Sequence, residues 1–253
     1  MGSILEEEKK SFLSNINGNQ VIFTSFELPN SRIIHGNVFQ IGLNISKVDG
    51  SQITLEESAA AVRDLSERGI TTDLTNKHNC VILRGVNDSS PHAFSALVHA
   101  AEEGRGRHPY EQIGLAGSRT VYDNEVFSAS ESLQHLWFHQ HNEYSRYTRF
   151  PSNIHFFCQK APPSGGESPF THSSELVESI MEEMPEFFEE CRVKGLNSPD
   201  IYRPPGREGK NFIFTWAGPL AFGKDIQPSD DMATIKKKSR ETSSASYAPL
   251  LVA

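Results

Sequence analysis

Cysteine is scarce in this 253-residue chain: only Cys80, Cys158 and Cys191 occur. Their number is odd and their spacing forms no metal knuckle, which argues against a disulfide framework and a thiolate zinc site. Cys80 and Cys158 lie in apolar, strand-like runs, where a reduced, buried thiol is expected. No apolar run reaches membrane-spanning length, so no membrane partner is expected. The first residues, Met1-Gly-Ser-Ile-Leu-Glu-Glu-Glu8, are acidic where a secretory leader begins basic and continues apolar. Gly2 lacks the hydroxyl residue that myristoylation wants, because Glu6 stands there. The expected location is therefore the cytoplasm. Positive charge is also short, with 24 Lys and Arg against 32 Asp and Glu, a net −8 that argues against nucleic acid as the main partner.

What remains suits a globular chain long enough to bury one sizeable core, and a single domain is the default. Residues 1–53 alternate short apolar runs with turn residues, among them Gln20-Val-Ile-Phe23 and Val38-Phe-Gln-Ile41. Thr54 and Glu57 form a capping box, and Leu55, Ala59, Val62 and Leu65 follow at helical spacing until Gly69. Val81-Ile-Leu83 has the character of a buried strand. Ser90-Pro91 starts a second helix, with Ser as cap, Pro in the first position and Phe94, Leu97, Val98 and Ala101 on one face. A Gly- and His-rich loop over 104–117 leads to the segment around His141. Ser173 is the expected cap of a third helix, interrupted at Pro185, and Asn211-Phe-Ile-Phe-Thr-Trp216 is the last expected strand. No internal repeat or repeated βαβ phasing is present.

The chemistry concentrates in Trp137-Phe-His-Gln-His-Asn-Glu-Tyr144. On an extended chain His141 and Glu143 point to the same side, two residues apart. That spacing supplies two ligands of a 2-His-1-carboxylate facial triad, the non-heme Fe(II) arrangement with open coordination positions. His139 cannot join them on a straight strand, since successive steps of about 6.8 Å exceed what metal bonds near 2.1 Å can gather. Plain structural roles also suit these residues: His141 as a half-buried strand histidine, Glu143 as a solvated charge, Gly165-Gly166 as a tight turn.

The block from Val121 to Pro169 resembles the taurine dioxygenase-like (TauD/TfdA) branch of Fe(II)/2-oxoglutarate oxygenases, especially its clavaminate synthase-like members. Val121-Tyr-Asp-Asn-Glu-Val-Phe127, Phe138-His-Gln-His-Asn-Glu143, Pro151-Ser152, Phe156-Phe-Cys158 and Ala161-Pro-Pro-Ser-Gly-Gly-Glu-Ser168 carry the resemblance. Upstream, Cys80-Val-Ile-Leu-Arg-Gly85 and its following helix match an early family element, so the likeness spans roughly residues 75–225. It implies an α+β double-stranded β-helix (jelly-roll) with flanking helices. It also implies Fe(II) held by His141 and Glu143, 2-oxoglutarate as cosubstrate, and O2 with a small-molecule substrate. Ser168 stands where the family usually has Thr, and its hydroxyl would hydrogen-bond the 2-oxoglutarate carboxylate.

The C-terminal part departs from the family, which needs a distal histidine and, beyond it, an arginine for the far 2-oxoglutarate carboxylate. His172 is the last histidine, and only Arg192, Arg203, Arg207 and Arg240 follow it. The expectation is one incomplete oxygenase domain over 1–240, with a solvated Ser-rich tail over 241–253. Two functions then compete: an oxygenase that hydroxylates, desaturates or cyclises a metabolite in a biosynthetic pathway, and a truncated, non-catalytic homologue. A homo-oligomer or a completing partner chain would make good the missing half. Arg105, Arg107 and Arg119 are available to meet an anionic substrate, and equally suit surface charges.

Overall fold

The computed structural model describes residues 10–110, 120–129, 139–144, 150–196, 215–217, 225–227 and 229–244. In chain order these form β1 (Ser11–Ile16), β2 (Asn19–Phe26), β3 (Arg32–Ile34), β4 (Asn37–Phe39), β5 (Ile41–Lys47), α1 (Leu55–Glu67), α2 (Ile70–His78), β6 (Val81–Arg84), α3 (Pro91–Glu103), β7 (Val121–Asp123), β8 (Val126–Phe127), α4 (Ser173–Glu183), α5 (Pro185–Lys194) and α6 (Met232–Ser244). They fall into two compact units. The first comprises Met1–Pro109, Thr120–Ser128 and His155–Ser168; the second comprises Tyr110–Arg119, Ala129–Ile154 and Pro169–Ala253.

The first unit is built on a four-stranded sheet of order β1-β2-β5-β6. β1 and β2 are antiparallel neighbours, as are β2 and β5, whereas β5 and β6 run parallel. A parallel pair needs a crossover, and α1 with α2 provides it. Alternation in β2 sends Val21, Phe23 and Ser25 inward and leaves Thr24 exposed. Phe23 lies opposite Ile45, and both join Val21, Ile53, Ala61, Val62, Leu65 and Ala100 in the main core. Burying a side chain such as Phe23 or Leu65 contributes roughly 1.5–3 kcal/mol. A second cluster places Leu74 of α2 against Ile41 and Leu43.

The capping box predicted for α1 is present in full: Thr54 Oγ1 accepts from the Glu57 N–H, and Glu57 Oε2 accepts from the Thr54 N–H. Glu57 also pairs with Lys47 at 3.0 Å, which ties the helix start to β5. Ser90 caps α3 with Pro91 behind it, as expected. α3 anchors the β7–β8 hairpin, because Ser95 Oγ donates to the Asn124 carbonyl at 2.7 Å. At the end of β6, Gly85 has φ +95° and a Cβ there would lie 2.4 Å from the Ile45 carbonyl oxygen. Glycine is required at that position.

α1 ends before Gly69 as expected, and α2, which the sequence pattern did not show, follows at once with Gly69 left-handed at its start. The segment around Cys158 departs from expectation. The apolar run Asn153–Cys158, strand-like by sequence, belongs to no sheet among the described residues. Its side chains are used instead against α3: His155 Nε2 lies 3.0 Å from Glu102 Oε1, and Phe157 stacks on Phe94 with centroids 5.1 Å apart. Phe156 between them faces solvent, and Cys158 is exposed, not buried.

In the second unit α4 and α5 meet at Pro185, which fills the first position of α5 as the sequence pattern predicts. The cap of α4 is His172, not Ser173, and it makes no side-chain capping bond. α6 buries Ile235 with Ile226 against Trp216, and Asp231 Oδ1 accepts from the Thr234 N–H at 2.7 Å to start it. Most of the strand expected over 211–216 lies outside the described residues.

Candidate metal and cosubstrate site

His141 and Glu143 sit in the second unit on irregular backbone that ends in a turn, where Tyr144 has φ +56°. The extended strand expected there is not assigned over 139–144, yet the two side chains still converge. His141 Nδ1 lies 2.8 Å from the His139 carbonyl oxygen. A carbonyl oxygen only accepts, so Nδ1 carries the proton and the neutral ring presents its lone pair at Nε2. Nε2 is the atom that faces Glu143, 3.6 Å from Oε2. Without a metal, and with the ring protonated, this is a partly exposed ion pair worth under ~1 kcal/mol.

The spacing of the pair is close to what chelation of a divalent ion would need. Two ligands at right angles, each about 2.1 Å from the ion, stand roughly 3.0 Å apart, so the observed separation is within about 0.6 Å of a chelate. Both are accessible, His141 at 46% and Glu143 at 26% side-chain exposure. Among the described residues, no group of three or more His, Cys, Asp or Glu side chains is arranged to hold a metal. His139 contributes its carbonyl to the tautomer of His141, and His135 lies outside the described residues.

Two neighbours of His141 escaped the sequence reading. Thr171 Oγ1 donates to Gln140 Oε1, and Ser173 Oγ donates to Asn142 Oδ1 at 3.4 Å. The interleaving of amides with His141 and Glu143 was the available signal. The Tyr144 ring meets that of Tyr110, centroids 5.2 Å apart, just beyond the turn.

Ser168 belongs to the first unit, exposed on irregular backbone two residues past Gly166. Gly165 and Gly166 both have positive φ, 71° and 77°, and a Cβ on Gly166 would lie 2.7 Å from Pro162 Cγ. The glycine pair is thus demanded by the turn that presents Ser168.

Of the arginines considered for an anionic substrate, Arg105 is committed elsewhere. Its side chain is only 5% exposed; Nε donates to Thr71 Oγ1, Nη2 to Thr75 Oγ1 and Nη1 to Glu102. Burial lowers its pKa, partly countered by Glu102, but a guanidinium stays charged throughout. Arg107 Nη1 stands 3.5 Å from the other Glu102 oxygen, so one carboxylate gathers two guanidinium groups and His155. Arg119 lies outside the described residues. Burial pushes the Cys80 thiol up, consistent with an unreactive thiol.

Residues 45–242 match the family described as taurine catabolism dioxygenase TauD, TfdA family, and the chain belongs to it. Among curated proteins it is 30% identical over 149 residues to a clavaminate synthase-like protein of Arabidopsis thaliana. That match covers 56% of this chain and 44% of the relative, so the chain spans less than half the relative's length. Among the described residues, no helix is long and apolar enough to cross a membrane.

Proposed function

We propose that this chain is an Fe(II)/2-oxoglutarate-dependent dioxygenase that oxidises a small-molecule metabolite by hydroxylation, desaturation or cyclisation, in a biosynthetic pathway. The observation that carries the reading is the converging His141–Glu143 pair within the matched family region. On this reading the chain carries one incomplete oxygenase domain of double-stranded β-helix type over about residues 1–240, working in the cytoplasm, although α6 runs past that boundary to Ser244. His141 Nε2 and the Glu143 carboxylate would hold Fe(II), and the Ser168 hydroxyl would donate to a 2-oxoglutarate carboxylate. When bound, the metal with 2-oxoglutarate supplies O2 activation coupled to decarboxylation to succinate. The chain's own residues do the positioning: the His139 carbonyl sets the tautomer of His141, and the Gly165-Gly166 turn holds Ser168 outward.

The test is succinate formation from 2-oxoglutarate, with and without Fe(II). The isolated chain should turn over slowly, and Glu143→Ala should stop it. Ser168→Ala should weaken 2-oxoglutarate by up to about tenfold, the worth of one hydrogen bond of roughly 0.5–1.5 kcal/mol. Ser168→Thr keeps the hydroxyl and should be tolerated. Ligand binding without any succinate, alone or with a completing chain, would assign the non-catalytic role instead.

A further inference from the structure

We propose that Thr171 and Ser173 are positioning residues that clamp the His141–Glu143 loop to the start of α4; the inference rests on the proposed role of His141 and Glu143 as metal ligands. Residues 139–144 belong to no strand or helix, so no regular ladder defines their shape. A chelating pair nevertheless has to be held within a fraction of an ångström. Gln140 and Asn142 are the chain neighbours of His141 on either side, and Asn142 also adjoins Glu143. Each has its side-chain oxygen held by a hydroxyl from one short segment, Gln140 by Thr171 and Asn142 by Ser173. Two fixed points around His141 restrict the peptide units that aim it.

The use of these hydroxyls is unusual for where they stand. A hydroxyl residue at a helix start most often caps the helix, a contribution of about 1 kcal/mol. Here the cap is His172, without a side-chain capping bond, while the flanking Thr171 and Ser173 turn to the loop. A local rule broken at the start of a helix, beside a candidate site, is the pattern expected where structure serves function. The exit of the loop is fixed as well, by the left-handed Tyr144 and its ring contact with Tyr110.

The experiment is anaerobic calorimetric titration of the full chain with Mn(II) or Fe(II), alongside thermal unfolding. The Thr171→Val, Ser173→Ala double variant should bind metal roughly tenfold or more weaker, the usual effect of removing partners that orient ligands. Its unfolding midpoint should stay near that of the wild type, because both side chains are exposed. Restoring the hydroxyl at one position, with Thr171→Ser in the Ser173→Ala background, should recover part of the affinity. Wild-type affinity in the double variant overturns the clamp while leaving the ligand assignment standing. A wild-type chain that binds no metal overturns the ligand assignment and the clamp with it.

Discussion

Replacing Arg105 by Ala should destabilise the first unit without touching any metal binding. The guanidinium is almost fully buried and makes three polar contacts, to Thr71, Thr75 and Glu102. Removing one partner of a buried ion pair costs roughly 3–5 kcal/mol when the other is left without compensation. Glu102 would keep Arg107 at 3.5 Å and His155 at 3.0 Å. The hydroxyls also keep other partners, Thr71 with Ser66 and Thr75 with the Thr71 and Thr72 carbonyls. The expected loss is therefore about 2–4 kcal/mol, below the uncompensated case. Arg105→Lys preserves the charge but not the fork of donors and should lose an intermediate amount. Urea unfolding followed by circular dichroism measures both. A loss under about 1 kcal/mol for Arg105→Ala, with weakened substrate or 2-oxoglutarate binding instead, would refute the structural assignment and return Arg105 to the ligand-reading role.

Gly85→Ala should cost about 2 kcal/mol or more, through a left-handed φ and overlap with the Ile45 carbonyl, and should lower the thermal midpoint measurably. The Glu57 carboxyl is held below its ordinary range by the Thr54 N–H and then by Lys47. A depressed folded-state pKa gives stability that is present above the ordinary value of about 4.3 and is lost as pH falls through the folded one. Urea midpoints measured from pH 6 down to 3 should fall less steeply in Glu57→Gln than in wild type. Iodoacetamide labelling read by mass spectrometry should modify exposed Cys158 well before Cys80, whose thiol is partly buried and held protonated; equal rates would contradict that burial.

Local signals with a strong physical cause were readable from the chain. The Thr54/Glu57 box and Ser90-Pro91 each satisfy backbone donors within one turn, so α1 and α3 begin where the residues say. α2 was not legible because Gly69 usually ends a helix, and Ile70 and Leu74 are its only large apolar residues. The run Asn153–Cys158 has strand-like composition but forms no ladder, because His155 and Phe157 pack against α3 through Glu102 and Phe94. α6 starts at Met232, just after Asp231, and continues past residue 240, with Ile235 as its buried residue, which gave the sequence little periodicity to show. At the site, the i, i+2 spacing identified a pair that does converge, but through an irregular turn and not a strand. The hydroxyls holding that turn come from thirty-one residues further along the chain, beyond the reach of any local pattern.

The central claim is that His141 and Glu143 share one divalent ion, and metal titration tests it most directly. Anaerobic calorimetry with Fe(II), or with Mn(II) as a stable substitute, should show one loosely bound ion per wild-type chain. His141→Ala and Glu143→Ala should each abolish that binding while leaving the circular dichroism spectrum and unfolding midpoint nearly unchanged. Metal binding that persists undiminished in either variant would contradict the account.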